Sequence, residues 1–234
     1  MSTAERRFLL AGCKPWHREA FAEIQRRVPG EWRLATRKED LDVEGILAWQ
    51  PRAVFFLHWS WKVPKALTDA IDCICFHVGR LPDERGGSPV QNLIARGVRQ
   101  SSLNALRMVD EIDAGPIYAS WPVSLEGGGE EIFLRLTRTS LAMIEWMVDN
   151  RPTPIAQPVE GQVMKRRTPA DSLLAGNQSD LAAVHDFVRM LDADGYPPAF
   201  VDVGNLRLEF TRSALYHDHL QADVRITMRS SEEL

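Results

Sequence analysis

The stretch CICFHVGRLPDERGGSPVQNLIARG, residues 73–97, shows in one segment how the chain is organised. An apolar run ends in a histidine, a polar loop with two consecutive glycines follows, and a serine-proline pair precedes the next apolar segment. Ser88 is a suitable N-cap residue, and Pro89 suits the first position of a helix. The segment therefore predicts a buried strand that ends at His77, then a loop, then a helix over residues 88–95.

The same alternation of apolar runs and amphipathic segments continues on both sides of this stretch. Continuous apolar runs such as AVFFL, residues 53–57, are typical of strands covered on both faces. Strands are predicted at residues 8–12, 32–35, 53–57, 73–76, 102–109 and 117–123, and helices at 15–28, 40–49, 64–71, 88–95 and 132–148. Alternating strands and helices predict an α/β fold with a doubly wound, mostly parallel, Rossmann-like sheet. In such sheets, sites lie beyond the carboxyl ends of strands.

The composition changes at the proline-containing stretch NRPTP, residues 150–154. We therefore predict a catalytic core over residues 1–150 and a small C-terminal appendage over residues 151–234. The appendage is expected to contain a helix near residues 180–191, two short strands near Phe200 and 207–210, and a frayed polar tail at 229–234.

The bulk composition excludes several classes of protein. The 234 residues are 44% hydrophobic and 26% charged, an ordinary globular balance. No apolar run approaches the roughly 20 residues of a membrane-spanning helix, and the short N-terminal run is interpreted as a strand, so no membrane association is expected. Three cysteines favour a reducing compartment, and a cytoplasmic location is expected. The net charge of −4 argues against a nucleic-acid partner, and the short basic cluster at 165–167 is interpreted as a solvated loop.

Two polar positions stand out as candidates for chemistry. His77 is predicted at the carboxyl end of a strand, and a histidine there can transfer protons near neutral pH. The alternative is a structural histidine bonded to a loop carbonyl. Asp113 lies in a carboxylate-rich turn, DEIDAGP (110–116), where the following small residues fix a tight backbone. The alternative for Asp113 is a solvated hairpin.

Taken together, these segments resemble the formyltransferase superfamily. That family carries an Asn-x-His pattern at a strand end, a Leu-Pro loop, Arg-Gly and a proline before a helix, and later an Asp-x-Gly turn. The matching positions, in order, are His77, Leu81-Pro82, Arg85-Gly86, Pro89 and Asp113-Ala114-Gly115. The fuller pattern around residues 58–64 and 85–89 is similar to sugar N-formyltransferases of the amino-sugar and pseudaminic-acid type.

The resemblance implies a mechanism and one departure from it. The implied activity transfers a formyl group from 10-formyltetrahydrofolate to an amine, with His77 accepting the amine proton, Asp113 orienting His77, and no metal. The family's asparagine is replaced by Cys75, and a thiol is a weak donor for the oxyanion. Ser88, Asn92, His58 and a backbone N–H of the loop are open alternatives for that role. Cys75 as a nucleophile is disfavoured because it lies in an apolar run.

The resemblance also implies binding residues. Those expected to bind the folate are Trp61, Val63, Arg85, Gly86, Gly87, Ser88 and Ile112. Those expected to bind the substrate are Arg167, Tyr196 and Phe200, with the two rings stacking on a nucleotide base and the guanidinium meeting a phosphate. Five of these residues have a plainer alternative: Trp61 as a core residue, Arg85 as the support of its own loop, Tyr196 and Phe200 as part of a small core, and Arg167 as part of a solvated loop.

Three functions follow as hypotheses. The first is N-formyl transfer to a small-molecule amine, an amino sugar carried on a nucleotide. The second is hydrolysis of 10-formyltetrahydrofolate, and the third is a catalytically impaired binder of folate or nucleotide. The oligomeric state is open, and a homodimer through the long helix or the appendage is one option.

Overall fold

A computed structural model describes residues 6–158 and 161–229. These residues form two compact units, one of 6–86, 102–123, 134–158 and 161–163, the other of 87–101, 124–133 and 164–229. Both units therefore contain segments from before and after residue 150. The division of the chain at that residue stays a prediction.

The first unit is built on a β-sheet. Strands of the first three quarters of the chain are β1 (Arg7–Gly12), β2 (Glu31–Ala35), β3 (Ala53–Leu57), β4 (Asp72–Val78), β5 (Arg85–Gly86), β6 (Gln100–Arg107), β7 (Ile117–Ser124) and β8 (Val163–Met164). Six of them form one sheet in the order β2-β1-β3-β4-β6-β7, and β5 pairs with β8. Strands β2, β1, β3 and β4 are parallel, and β6 is antiparallel to β4. The predicted α/β fold with a mostly parallel sheet is confirmed.

The helices of the same part of the chain are α1 (His17–Arg27), α2 (Val43–Trp49), α3 (Lys65–Ala70), α4 (Pro89–Ala95) and α5 (Gly129–Asn150), of which α4 belongs to the second unit and α5 has residues in both. Helix α5 begins three residues before its predicted start. The carboxylate of Glu131, in the first turn, accepts a hydrogen bond from the Gly128 N–H and so caps the helix at its N-terminus. Strand β6 ends at Arg107, two residues earlier than predicted. Among the described residues, no helix is both long and apolar enough to cross a membrane.

One face of the sheet carries the hydrophobic core that holds the strands in place. Alternate positions of β1, β3 and β4 pack against α2 and α3, and the buried cluster includes Leu9, Ala11, Val54, Phe56, Cys73, Ile46, Trp49 and Leu67. The side-chain period of two in a strand explains why these positions share a face. Because β1, β3 and β4 are parallel, the residues that follow them, among them His58, lie at one edge of the sheet.

The second unit contains α6 (Leu181–Arg189) and an antiparallel sheet of β9 (Ala199–Val203), β10 (Leu206–Leu215) and β11 (Leu220–Met228), in the order β11-β10-β9. The prediction of two short strands missed β11, and β10 is longer than expected. Arg229, at the start of the predicted polar tail, donates its backbone N–H to the Asn205 carbonyl. The rest of that predicted tail lies outside the described residues.

Candidate active site

His77 lies one residue before the end of β4, and its side chain is buried. Its backbone is paired with Asn104 of β6, and Cys75 stands two residues earlier on the same strand. Residues two apart in a strand, and directly paired residues of neighbouring strands, point to the same face of a sheet. His77, Cys75 and Asn104 therefore share one face of the sheet.

Asp113 contacts the imidazole of His77 directly. Its Oδ2 lies 3.2 Å from His77 Nδ1 and accepts the Gly86 backbone N–H at 3.0 Å. Burial acts to raise the pKa of this carboxyl, but the His77 hydrogen bond, the Gly86 N–H and the nearby Arg85 charge outweigh it. The pKa of Asp113 is therefore below its ordinary value, and the group is a carboxylate at neutral pH.

The second imidazole nitrogen of His77 faces a backbone carbonyl. His77 Nε2 lies 2.6 Å from the Glu84 oxygen. Gly79 makes this approach possible: its φ is +153°, and a Cβ there would lie 2.9 Å from the same oxygen. His77 is thus held between a carboxylate and a carbonyl. The carbonyl contact is the one expected of a structural histidine, and the Asp113 contact is the one expected of a histidine that transfers protons.

Arg85 is almost fully buried, with 2% of its surface exposed. Its Nε and Nη2 donate to Gln157 Oε1 at 3.3 and 3.1 Å, and Nη2 also donates to the Pro158 carbonyl at 3.0 Å. Its Nη1 lies 3.5 Å from a carboxylate oxygen of Glu111. The guanidinium is therefore surrounded by acceptors of the protein, the arrangement expected of an arginine that holds its own loop.

Cys75 has the properties of a neutral thiol. Burial raises its pKa well above the ordinary value, and the charge of Asp113 adds to the effect. The thiol is therefore protonated at neutral pH, which makes Cys75 a poor nucleophile.

Asn104 is a buried polar residue of this site that sequence reasoning missed. Its Nδ2 donates to the carbonyls of His77 and Gly79 at 3.1 and 2.8 Å, and its Oδ1 accepts from Ser120 Oγ at 2.6 Å. These bonds tie β6 to the end of β4. Both amide hydrogens face backbone carbonyls, so this carboxamide braces the strand end. The available signal was an asparagine within an apolar strand.

The loop after β3 presents two tryptophans. Trp61 is 38% exposed and meets the ring of Trp59 edge-on, with centroids 4.8 Å apart. Val63 is buried in the core cluster described above. His58 precedes these residues, and burial, with the charges of His17 and Lys14, lowers its pKa to about 3. His58 is therefore neutral at physiological pH. On the Asp113 turn, Ile112 is 67% exposed.

The remaining predicted site residues belong to the second unit and have partners there. Ser88 Oγ accepts the Arg167 backbone N–H at 3.2 Å, and a Cβ at Gly87 would lie 2.5 Å from Arg166. The Arg167 side chain donates to the Asp171 carbonyl and lies over the Phe187 ring. Tyr196 stacks on Phe133, and Phe200 lies under Arg207. Arg167, Tyr196 and Phe200 thus contact three different residues of the second unit, namely Phe187, Phe133 and Arg207.

Asn92, one of the residues considered as a substitute for the missing asparagine, also belongs to the second unit. Its Nδ2 donates to the carbonyls of Gly87 and Lys165, both at 2.9 Å. Its amide hydrogens are therefore engaged by backbone, like those of Asn104. Across residues 6–158 and 161–229, no group of three or more His, Cys, Asp or Glu side chains is arranged to hold a metal ion.

The first unit also contains a cavity of about 230 Å³ at the other end of its strands. Its lining includes Phe8, Arg52, Ala53 and Asp72, which lie at or next to the starts of β1, β3 and β4. His77 is near the opposite end of β4. The cavity is therefore separate from the residues singled out by the sequence.

Known proteins match both the sequence and the structure. A family model described as "Methionyl-tRNA formyltransferase, C-terminal domain" matches residues 169–227. The chain is 26% identical over 162 residues to methionyl-tRNA formyltransferase of Gluconobacter oxydans (strain 621H), which is 67% of this chain and 52% of that protein. The chain thus spans about half the length of this curated relative.

Two solved structures extend the comparison. A sugar N-formyltransferase from Shewanella sp. FDAARGOS_354 shares the fold, with a TM-score of 0.70 and 17% identity over 90% of this chain and 98% of that one. The structure of methionyl-tRNA formyltransferase from Clostridium thermocellum is much more similar, with a TM-score of 0.91 and 34% identity. That match covers 95% of this chain and 99% of the other. At this identity over nearly the full length of both chains, the protein belongs to the formyltransferase family.

Proposed function

We propose that this chain transfers a formyl group from 10-formyltetrahydrofolate to a primary amine. The observation that carries the proposal is the contact between His77 Nδ1 and the Asp113 carboxylate at the end of β4. An ionised carboxylate accepts a hydrogen bond from Nδ1–H, which fixes the tautomer and leaves Nε2 as the nitrogen that takes up a proton from a substrate. A histidine oriented in this way suits a reaction in which an amine nitrogen loses its proton.

The chemistry divides between the co-substrate and the chain. 10-Formyltetrahydrofolate supplies the formyl group. A bond forms between the acceptor nitrogen and the formyl carbon, the bond from that carbon to the folate nitrogen breaks, and the amine proton passes through His77 Nε2 to the leaving nitrogen. Because Nε2 lies 2.6 Å from the Glu84 carbonyl, the ring must exchange this contact for the acceptor amine.

The folate is proposed to lie along the exposed apolar side chains near this end of the sheet. Trp61 and Ile112 offer exposed apolar surface, as a flat heteroaromatic ring requires, and Val63 contributes through its backbone because its side chain is buried. Arg85 and Gly86 are proposed to shape the site through the loop and the Gly86 N–H. Gly87 and Ser88 stay proposed as cofactor residues from the family pattern.

Two amine acceptors have separate support. A nucleotide-linked amino sugar fits the motif pattern and the acidic chain, with 28 basic against 32 acidic residues, and Arg167, Tyr196 and Phe200 are its proposed binding residues. The methionyl group of methionyl-tRNA is favoured by the 34% identity to the C. thermocellum protein. Charge is the physical distinction, because a tRNA partner requires a basic surface whose binding weakens with salt.

A single transfer assay tests the proposal and separates the acceptors. The purified chain is given 10-formyltetrahydrofolate with UDP-, dTDP-, GDP- or CMP-linked amino sugars, or with methionyl-tRNA, while formate release is followed in parallel. We expect formylation of one acceptor class and its loss in the His77→Ala variant. Formate release without any amine would show that the chain is a hydrolase of 10-formyltetrahydrofolate and not a transferase. Folate or nucleotide binding without turnover would indicate a catalytically impaired binder.

A further inference from the structure

We propose that Gln157 is a positioning residue for the His77–Asp113 pair, an inference that rests on the proposed function. Gln157 lies in the connection that follows α5, outside every motif of the sequence. It does not touch the imidazole, so any effect it has on the reaction must pass through Asp113.

The side-chain amide of Gln157 uses its whole hydrogen-bonding capacity on two segments of the site. Its Nε2 donates to the carbonyls of Asp113 and Gly115, at 2.8 and 2.7 Å. Its Oε1 accepts from Nε and Nη2 of Arg85, at 3.3 and 3.1 Å. A primary amide has two donor hydrogens and two acceptor lone pairs, and all four are matched here.

The Asp113 turn has an uncommon backbone conformation. Asp113 has a φ of +53°, in the left-handed region that few non-glycine residues adopt and in which aspartate and asparagine are enriched. On one side the turn is fixed by β6: Arg107 donates to the Pro116 carbonyl, and a Cβ at Gly115 would lie 1.7 Å from the Arg107 oxygen. Gln157 fixes the other side, at Asp113 itself.

The contact with Arg85 connects this turn to the second group that holds the carboxylate. Arg85 directly precedes Gly86, whose N–H donates to Asp113 Oδ2 at 3.0 Å. One amide therefore bridges the backbone that carries the carboxylate and the residue next to the N–H that receives it. Removing the amide should free both, and the carboxylate would no longer be held 3.2 Å from His77 Nδ1.

The segment that carries Gln157 has an anchor of its own. Ile155 exchanges backbone hydrogen bonds with Ile117 of β7, at 2.8 and 2.9 Å. The segment therefore stays attached to the sheet without the Gln157 side chain. This independent anchor makes a loss of positioning without a loss of fold the expected result of a substitution.

Two variants separate the halves of the bridge. Gln157→Leu removes all four hydrogen bonds, whereas Gln157→Glu keeps acceptors for Arg85 and removes the donors to Asp113 and Gly115. The matched control is Gln25→Leu, an exposed position on α1. We expect both Gln157 variants to lower kcat about tenfold with little change in KM and to alter the pH–rate profile, because the interaction with the proton acceptor is weakened. The control should match the unaltered protein.

Two further measurements distinguish positioning from a merely structural role. The double variant Asp113→Asn/Gln157→Leu should be no slower than Asp113→Asn alone, because Gln157 acts through Asp113. In NMR spectra recorded without substrate, the His77 ring resonances of Gln157→Leu should move toward those of Asp113→Asn. The NMR arm needs no activity, so it tests the inference even if the transfer assay finds no acceptor.

Either of two results would overturn the proposal. One is a double variant whose fold-loss of rate equals the product of the losses in Asp113→Asn and Gln157→Leu. The other is an unchanged set of His77 resonances in the Gln157→Leu protein, whether or not its thermal midpoint has fallen. In both cases Gln157 would serve the fold alone.

Discussion

At the site in the first unit the guanidinium of Arg85 is enclosed by protein, whereas that of Arg225 in the C-terminal sheet lies in solvent. Arg85 is 2% exposed and meets side-chain and backbone acceptors. Arg225 of β11, by contrast, has a side chain that is 78% exposed and lies 3.7 Å from Glu209. The same residue type therefore has opposite energetics at the two positions, since an enclosed charge depends on its partners and a solvated one does not.

The apolar residues follow the same division. In the first unit, Leu10, Val54 and Leu67 are fully buried. In β11, Val224, Ile226 and Met228 are all exposed, although their alternation with polar residues is regular. The family model matches residues 169–227, which include most of this exposed strand, whereas the candidate catalytic pair belongs to the first unit. Substitutions at the site should therefore have larger effects than substitutions on β11.

Asp113→Asn should have the largest effect. The amide keeps the size of the side chain and suits the left-handed backbone, but it removes the negative charge beside His77 Nδ1. We expect a loss of transfer rate of roughly 10³–10⁴-fold, the scale seen when a histidine loses its orienting aspartate. The rate is measured with the acceptor identified by the transfer assay. An active Asp113→Asn protein would contradict the proposed division of roles.

Arg85→Leu should have the next largest effect, on stability. The substitution leaves Gln157 Oε1 and the Pro158 carbonyl without their donor, and a buried unsatisfied group costs about 1–3 kcal/mol. We expect the free energy of unfolding in urea to fall by about 3 kcal/mol. Arg138→Leu, at an exposed position of α5, serves as the control and should change it little. Equal losses in the two variants would erase the contrast between buried and solvated arginines.

The pH dependence of stability should give a smaller effect. Burial lowers the pKa of His17 to about 4 and of His58 to about 3, from an ordinary value of 6.5. Between pH 6.5 and 4 the unfolded chain binds protons that the folded chain does not, so stability falls as the pH is lowered. For His17 alone the slope is about 1 kcal/mol per pH unit.

Urea titrations at pH 7, 6 and 5 measure this slope, and His17→Gln should make it shallower while His58 still contributes. Asp113 also has a lowered pKa, but its contribution to stability is lost only below its ordinary value of 3.8. A slope that persists unchanged in His17→Gln would assign the acid sensitivity to other groups.

Arg225→Ala should have the smallest effect. The pair with Glu209 lies on the exposed C-terminal sheet, and pairs of this kind contribute about 0–1 kcal/mol. We expect the urea midpoint to shift by no more than its experimental error, in both low and high salt. A shift as large as that of Arg85→Leu would show that the second sheet depends on its ion pairs.

The sequence predicted those features that leave a local pattern. Buried strands are continuous apolar runs, so β3 was predicted with the bounds that the structure has. His77 and Asp113 could be singled out because each lies at a recognisable strand end or turn, and the structure puts them 3.2 Å apart. Their catalytic roles remain predictions.

Contacts between distant segments left no comparable pattern. Gln157 lies 44 positions from Asp113 along the chain, and its proline-containing segment shows no periodicity that would place it there. Asn104 could have been noticed as an amide within an apolar strand, but its partners on β4 follow only from the pairing register. Strand β11 did carry a regular alternation, LQADVRITM, which predicts a strand and was missed.

The left-handed backbone of Asp113 has a consequence for how this position can change during evolution. Aspartate and asparagine are enriched at positive φ, whereas longer side chains are disfavoured there. Glutamate would retain the charge at a higher cost in backbone energy, and asparagine or glycine would retain the backbone but not the charge. Aspartate is the acidic residue that meets both requirements at the lowest cost, so it is favoured over glutamate at this position even though either could in principle hold a histidine.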